Sequence, residues 1–125
     1  MFTIKDSKTG YVELNKSKFY SFAFHVEDVD TFKKCLQNLQ KENSKAKHAV
    51  YAYRIGVASK SCDDGEPKGT GGRPILELLN KKNLNNVAII VIRYFGGSEL
   101  GAGRLLRCYL NSAIDAINKC ELVEE

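Results

Sequence analysis

The chain has 125 residues, a length that fits one domain able to bury a hydrophobic core. Its composition is ordinary for a globular protein, with 43% hydrophobic residues, 27% charged residues and a formal net charge of +4. The longest apolar run, VAIIVI, is too short to cross a bilayer, and the N-terminus lacks the apolar core of a signal peptide. We therefore expect a cytoplasmic protein without a membrane partner.

The positions of the cysteines and charges indicate which kinds of site the protein can contain. The four cysteines, Cys35, Cys62, Cys108 and Cys120, are scattered and form no CxxC pair, so neither structural zinc nor a disulfide framework is expected. Residues 1–60 carry eleven Lys and Arg against six acids, whereas residues 61–125 carry eight against nine. This uneven positive charge permits a weak surface for binding polyanions.

The first predicted elements form the edge of a sheet. The stretch YVELNKSKFYSFAFHV is typical of two short strands or a hairpin around Asn15 to Ser17. The next stretch, DVDTFKKCLQNLQKEN, places its apolar side chains on one helical face, with Asp28 as N-cap. A strand is then predicted over residues 48–57, and the loop SCDDGEPKGTGG follows it.

The second half alternates helix, strand and helix. A helix is predicted from about Arg73 to Asn83, because Pro74 suits its first turn and an apolar stripe follows. Residues 87–92 are apolar on both faces, which is typical of a central strand covered on each side. After the loop GGSELGAG, RLLRCYLNSAIDAINKC predicts a final helix. The order ββαβαβα favours an α+β fold, a two-layer α/β sandwich with its helices on one side of the sheet.

Two loops hold eight of the ten glycines, and both are also crowded with charge. Each loop follows a predicted strand and leads into a predicted helix, where the N–H groups of the first turn can hold an anion. If the two strands run the same way in one sheet, both loops emerge at the same edge and could form one shallow site. The glycine spacing matches neither the dinucleotide fingerprint nor the P-loop, so it indicates no ordinary nucleotide site.

Four arginines lie at or near the ends of these loops, where a nearby negative partner is expected because the start of a helix disfavours an unpaired cation. They are Arg73, Arg93, Arg104 and Arg107. One alternative is an internal salt-bridge cluster, for which the candidate acids are Asp63, Asp64, Glu66 and Glu99. The other is a phosphate-bearing ligand or nucleic-acid backbone, met by arginine forks and loop N–H groups. The sequence leaves both open.

A family resemblance is carried by two long blocks, DDGEPKGTGGRPILELL and NVAIIVIRYFGGSELGAGRLLRCY, with KSKF and AKHAVYAYRIG before them. These blocks strongly resemble the Impact family, which comprises YigZ-like bacterial proteins and eukaryotic Impact, over about Lys16 to Ile117. The resemblance implies the fold shared by the second domain of small-subunit ribosomal protein S-five, domain IV of elongation factor G and the GHMP kinases, including a left-handed βαβ crossover. Eukaryotic members look like regulators of translation that compete for a partner of an amino-acid-starvation kinase, and bacterial members have a suspected link to RNA or the ribosome.

The resemblance and the loop chemistry together predict a set of ligand-binding or anion-binding residues. They are Asp63, Asp64, Glu66, Gly69, Thr70, Gly72, Arg73, Arg93, Tyr94, Gly96, Gly97, Gly101, Gly103, Arg104 and Arg107, with His48 as a possible member. Three positions depart from the family pattern: Gly71 replaces the usual alanine, Ile92 a threonine and Arg104 a glycine. Arg104 could fill the space for a ligand or add a cationic contact.

We predict a single Impact-type domain, 1–125, without the ferredoxin-like C-terminal domain that the resemblance implies for bacterial relatives. The predicted function is a non-enzymatic regulator of translation that binds RNA or a ribosome-associated partner through the two Gly-rich, Arg-bearing loops, with no cofactor or metal. Tyr94 and Phe95 could stack on unpaired bases or pack beneath the loop.

Other functions stay open at this point. His48 and Cys62 could act as base and nucleophile, although no third group orients them. Asp63, Asp64 and Glu66 could hold Mg²⁺ beside a phosphate in an enzyme. The Lys-rich stretch KENSKAKH could dock an acidic partner in a stress-response pathway, or it could be a solvated helix end.

Overall fold

The computed structural model describes all 125 residues. The elements follow in the order β1 (Phe2–Ile4), β2 (Lys8–Leu14), β3 (Ser17–His25), α1 (Val29–Glu42), β4 (His48–Ile55), β5 (Ala58–Cys62), α2 (Gly72–Lys81), β6 (Val87–Tyr94), α3 (Ala102–Asn118) and β7 (Leu122–Glu124). The seven predicted elements are all present, and three short strands, β1, β5 and β7, are added. No helix combines the length and the apolar character needed to cross a membrane.

The strand predicted over residues 48–57 is the first arm of a hairpin. The chain reverses at Gly56, whose φ is +59°, and returns as β5. The polar stretch ASKSC of β5 is mostly exposed and lacks the apolar alternation by which strands are recognised, so the sequence pattern did not reveal it.

Five strands form one antiparallel sheet in the order β2-β3-β6-β4-β5, while β1 and β7 pair in a separate two-stranded sheet. The central strand β6 pairs antiparallel with both β3 and β4, and β4 pairs antiparallel with β5. Strands β5 and β6 therefore run in the same direction. The two glycine loops, which follow β5 and β6, leave the sheet at the same edge.

Helices cover both faces of the five-stranded sheet. Helices α2 and α3 pack on one face, in a core that includes Phe19, Val50 and Ile89. On the other face, Phe32 of α1 packs in a second core that includes Ile90. The α+β class is confirmed, but the helices do not all lie on one side. The reason is β6, whose residues 87–92 are all buried and supply alternate side chains to both cores.

Helix α1 begins as its sequence predicts. The carboxylate of Asp28 accepts hydrogen bonds from the backbone N–H of Thr31 at 2.7 Å and from its hydroxyl at 2.9 Å. These hydrogen bonds lower the pKa of Asp28. The cap fixes the start of the helix that lies alone on its face of the sheet.

Candidate functional site

The first glycine loop, residues 63–72, is built around the carboxylate of Asp63. Its Oδ2 accepts a hydrogen bond from the N–H of Gly69 at 2.9 Å, and its Oδ1 accepts from Gly71 at 3.0 Å and Gly72 at 2.9 Å. Gly71 is the N-cap of α2 and Gly72 is its first residue. An internal carboxylate thus occupies the position at which the sequence pattern predicted a bound anion.

Gly72 is required here by a close approach of two backbones. A Cβ at this position would lie 2.4 Å from the backbone nitrogen of Cys62 and 2.8 Å from the carbonyl oxygen of Tyr51. Any side chain would therefore push α2 away from the β4–β5 hairpin.

The other predicted residues of this loop also have partners within the chain. Asp64 Oδ2 accepts from the N–H of Ala49 at 2.7 Å, and the Thr70 hydroxyl donates to the carbonyl oxygen of Pro67 at 2.5 Å. Arg73 is exposed and pairs with Glu77, one turn along α2, at 3.2 Å. The first two interactions hold the loop in place, and the third lies within α2.

A buried polar network joins the first loop to β4, β6 and α3. Glu66, only 8% exposed, accepts a 2.6 Å hydrogen bond from Nη1 of Arg93 and a second hydrogen bond from the hydroxyl of Tyr109. Nε2 of His48 lies 3.4 Å from the other oxygen of Glu66. Arg93, 3% exposed, also donates from Nη2 to the hydroxyl of Ser17 at 3.3 Å. Of the four acids predicted as internal partners, Glu66 is the one that pairs with an arginine.

Tyr109 is a member of this network that sequence patterns did not reveal. Burial raises the pKa of Tyr109 far above its ordinary value, and the hydrogen bond to Glu66 raises it further. The phenol therefore remains a donor throughout the physiological range. Its position on the apolar face of α3 predicts a core residue, and only the acceptor that folding brings to it reveals its polar role.

His48 is held by its other ring nitrogen. Nδ1 lies 2.5 Å from the carbonyl oxygen of Asp64, and because a carbonyl can only accept, this nitrogen carries the hydrogen. Alternation along β4 places His48 on the face of Val50, whereas Cys62 is paired with Tyr51 and packs on the opposite face. The fold thus separates the pair that was considered as base and nucleophile.

The three acids considered as Mg²⁺ ligands also serve separate partners. Asp63 binds loop amides, Asp64 binds the N–H of Ala49, and Glu66 binds Arg93. No group of three or more His, Cys, Asp or Glu side chains is arranged to hold a metal ion.

The second glycine loop, residues 95–103, ends at a different kind of helix start. The N-cap of α3 is Gly101, with a φ of +80°, and no side chain caps this helix. Arg104 and Arg107 follow in its first two turns and are exposed. Nε of Arg104 donates to the carbonyl oxygen of Leu100 at 3.0 Å, and neither arginine forms a salt bridge.

This loop is also fixed against the β2–β3 turn. A Cβ on Gly96 would lie 2.3 Å from the carbonyl carbon of Lys16, and the N–H of Gly96 donates to the hydroxyl of Ser17 at 3.1 Å. Phe95 is 42% exposed, so it does not pack beneath the loop, and Nζ of Lys47 lies 4.2 Å from its ring centroid. Gly97 and Gly103 are exposed.

A cleft of about 270 Å³ lies between the two loops. Its lining includes Lys47, His48, Glu66, Arg93, Gly101 and Ala102. It therefore brings together the buried network, the uncapped start of α3 and one lysine of the KENSKAKH stretch. Nε of Arg93 is buried and has no hydrogen-bond partner. Arg73, Thr70 and Gly72 do not line the cleft.

Comparison with known proteins gives consistent matches. Residues 15–117 match the family described as the Impact N-terminal domain. The chain is 37% identical over 126 residues to the IMPACT family member YvyE of Bacillus subtilis (strain 168), covering 98% of this chain and 58% of that protein. It is 33% identical over 102 residues to the IMPACT family member YigZ of Escherichia coli (strain K12), and the match covers 78% of this chain and 50% of that protein. It is 38% identical over 97 residues to Protein IMPACT of Rattus norvegicus, and the match covers 71% of this chain and 30% of that protein.

The fold has a counterpart of known structure. A crystal structure described as that of a hypothetical protein superposes with a TM-score of 0.93 at 28% identity, covering 98% of this chain and 62% of the other. The chain spans about half the length of the bacterial relatives it matches. With the DDGEP and RYFGG blocks converging on one cleft, these matches show that the chain belongs to the Impact family.

Proposed function

We propose that this domain is a non-enzymatic, translation-associated module that binds the phosphate backbone of RNA, free or within a ribosomal partner. The binding surface comprises the cleft between the two loops and the adjoining start of α3. A link to translation is what the resemblance implies for eukaryotic Impact proteins, and we extend it to this chain as part of the proposal.

One contrast between the two helix starts carries the proposal. Asp63 neutralises the start of α2, whereas the start of α3 has no side-chain cap and exposes Arg104 and Arg107 without a carboxylate partner. Cations at the positive end of a helix are unfavourable unless an anion lies nearby. A phosphate would accept hydrogen bonds from both the helix N–H groups and the guanidinium groups.

The cleft beside this helix start favours the same ligand. Lys47 is exposed at its rim, and Arg93 lines it from β6. Two acids line the cleft: Glu66 accepts hydrogen bonds from Arg93 and Tyr109, whereas Glu99 is exposed and forms no salt bridge. Because the lining includes no Ser, Thr or Cys side chain, the cleft offers no hydroxyl or thiol nucleophile, which favours binding over covalent catalysis.

The test is a charge reversal at the start of α3. Fluorescence anisotropy would follow labelled single-stranded and duplex RNA at two salt concentrations. We expect Arg104→Glu with Arg107→Glu to weaken binding of both RNA forms. The salt slope of log K should fall by about 0.7 for each single-strand phosphate that these arginines no longer neutralise. Thermal stability should be unchanged or slightly higher, since both side chains are exposed without a salt bridge and acids replace cations at the positive end of α3.

A matched control reverses the same number of charges on another face. Lys33→Glu with Lys34→Glu changes two exposed side chains of α1. This control should retain most of the affinity. Equal losses in both double variants would indicate only general attraction to positive charge, and no RNA binding by the unaltered protein at low salt would overturn the proposal.

A further inference from the structure

A second surface lies on the sheet beyond the end of α1. We call it the aromatic strip and define it as Tyr11, Tyr20, Tyr94 and Phe95. The ring centroids of Tyr11 and Tyr20 are 4.8 Å apart, and those of Tyr20 and Tyr94 are 5.9 Å apart. Tyr11, Tyr20 and Phe95 are 42%, 37% and 42% exposed, so the strip presents a row of rings to solvent.

Strand register and the length of α1 explain the position of the strip. Tyr11 lies opposite Tyr20, and Tyr20 lies opposite Ile92, so these side chains share the face that α1 covers elsewhere. Helix α1 ends at Glu42, and the hydroxyl of Tyr94 donates to the side chain of its C-cap residue, Asn43, at 2.5 Å. The helix therefore stops where the strip begins and leaves this corner of the sheet uncovered.

Lysines flank the rings. The β2–β3 turn, with φ values of 47° at Asn15 and 68° at Lys16, presents Lys16 beside the strip. Lys16 and Lys18 are exposed and, with Tyr20 and Tyr94, line a depression of about 570 Å³ whose lining contains no acid. The acid that touches the strip is Glu13, which accepts a 2.6 Å hydrogen bond from the hydroxyl of Tyr11.

We propose that the aromatic strip binds single-stranded RNA by stacking unpaired bases on its rings while Lys16 and Lys18 contact the phosphates. Exposed aromatic rings flanked by lysines provide the two interactions that hold single strands, stacking and phosphate contact. Bases in a duplex are already stacked on one another and cannot reach such a surface. The inference rests on the proposed function and adds a preference for single strands, because the start of α3 would hold the backbone of either form.

Phe95 connects the two surfaces. Its side chain lines both the cleft beside α3 and the depression beside the strip. Lys47, stacked on the same ring, lies at the junction. A strand whose phosphates are held at the start of α3 would therefore pass directly onto the strip.

The test removes the aromatic faces and keeps the apolar bulk. Tyr11→Leu with Tyr20→Leu would be compared with the unaltered protein by anisotropy. The probes are labelled single-stranded RNA of about 12 nucleotides, the same RNA annealed as a duplex, and a strand of the same length without bases. We expect single-strand affinity to fall at least about fivefold, the effect of losing one stacked base, while duplex and abasic affinities stay within about twofold.

Two controls accompany this variant. Tyr11→Phe with Tyr20→Phe retains the rings and should retain single-strand affinity. Phe2→Leu makes the same aromatic-to-leucine change at a side chain 40% exposed in the separate β1–β7 sheet and should have no effect.

The outcomes separate this inference from the proposed function. Weaker single-strand binding in Tyr11→Leu/Tyr20→Leu, with unchanged binding in the two control variants, supports the strip. Unchanged single-strand binding in that variant, with weaker binding in Arg104→Glu/Arg107→Glu, overturns the strip and leaves the α3 surface standing. The reverse result overturns the α3 surface and leaves the strip, and an unaltered protein that binds neither RNA form overturns both.

Discussion

At the scale of single residues, Glu66 is the point at which separate parts of the chain are joined. Its carboxylate meets His48 from β4, Arg93 from β6 and Tyr109 from α3. A buried charge pair of this kind contributes little net stability relative to an apolar pair, but the loss of one partner leaves the other charge buried without compensation. Loss of Glu66 is therefore expected to weaken the packing of these three elements.

We predict that Glu66→Ala lowers the free energy of unfolding by about 3–5 kcal/mol, because it leaves Arg93 buried without a carboxylate. Urea denaturation followed by circular dichroism would measure the change. The double variant Glu66→Ala with Arg93→Met should recover much of the loss, since both charges are then absent. A double variant as unstable as Glu66→Ala would contradict this explanation.

At the scale of elements, the first glycine loop and α2 form one unit through Asp63. Three backbone N–H groups, those of Gly69, Gly71 and Gly72, point at one carboxylate. The sequence DDGEPKGTGG does not show which acid caps which amide. That assignment depends on how close Gly72 brings α2 to the hairpin.

We predict that Asp63→Ala destabilises the protein by roughly 2–4 kcal/mol, because N–H groups at the start of α2 lose their acceptor, and loss of a cap alone costs about 1 kcal/mol. Hydrogen exchange should accelerate first at Gly69, Gly71 and Gly72. Asp64→Ala is the matched control in the same loop, since Asp64 accepts one backbone hydrogen bond, from Ala49. If both variants were equally destabilised, Asp63 would have no special role.

At the scale of the whole molecule, two cores share the central strand and are unequal in size. The core under α2 and α3 contains 19 buried residues, and the core under α1 contains nine. Phe32 is the only buried residue of α1. The centroid of its ring lies 5.0 Å from the ring centroid of Tyr51 and 4.7 Å from that of Tyr53. Phe32 is therefore the main anchor of α1, with the half-buried Val29, Leu36 and Leu39 packing around it.

We predict that Phe32→Ala costs about 3–5 kcal/mol, the usual range for a buried aromatic side chain. Hydrogen exchange should then show α1 opening before α2 and α3. Leu36→Ala, at a half-buried position on the same helix, should cost less. Uniform acceleration of exchange across all three helices would show that α1 is not attached independently.

Periodicity and composition predicted the elements that carry strong patterns, including α1 with its cap at Asp28 and β6 with two apolar faces. They could not predict features that depend on register. The row from Tyr11 to Tyr94 exists because Tyr11 falls opposite Tyr20, while Tyr94 lies two residues along β6 from Ile92, the residue opposite Tyr20. The partnership of Tyr109 with Glu66 joins positions 43 apart in the chain. Only the fold shows that Gly96 meets the β2–β3 turn.

The pairing of β1 with β7 has a practical consequence for experiments. It places the first and last residues side by side, with the N–H of Glu125 donating to the carbonyl oxygen of Met1 at 3.0 Å. Phe2 also lies beside Leu84, just ahead of β6, whereas the cleft lies beyond the other end of that strand. A dye, an affinity tag or a surface tether attached at either terminus would therefore leave the cleft facing away from the attachment point. A short peptide bridge could also close the chain into a ring, so that new ends could be opened at the exposed Gly56–Val57 turn.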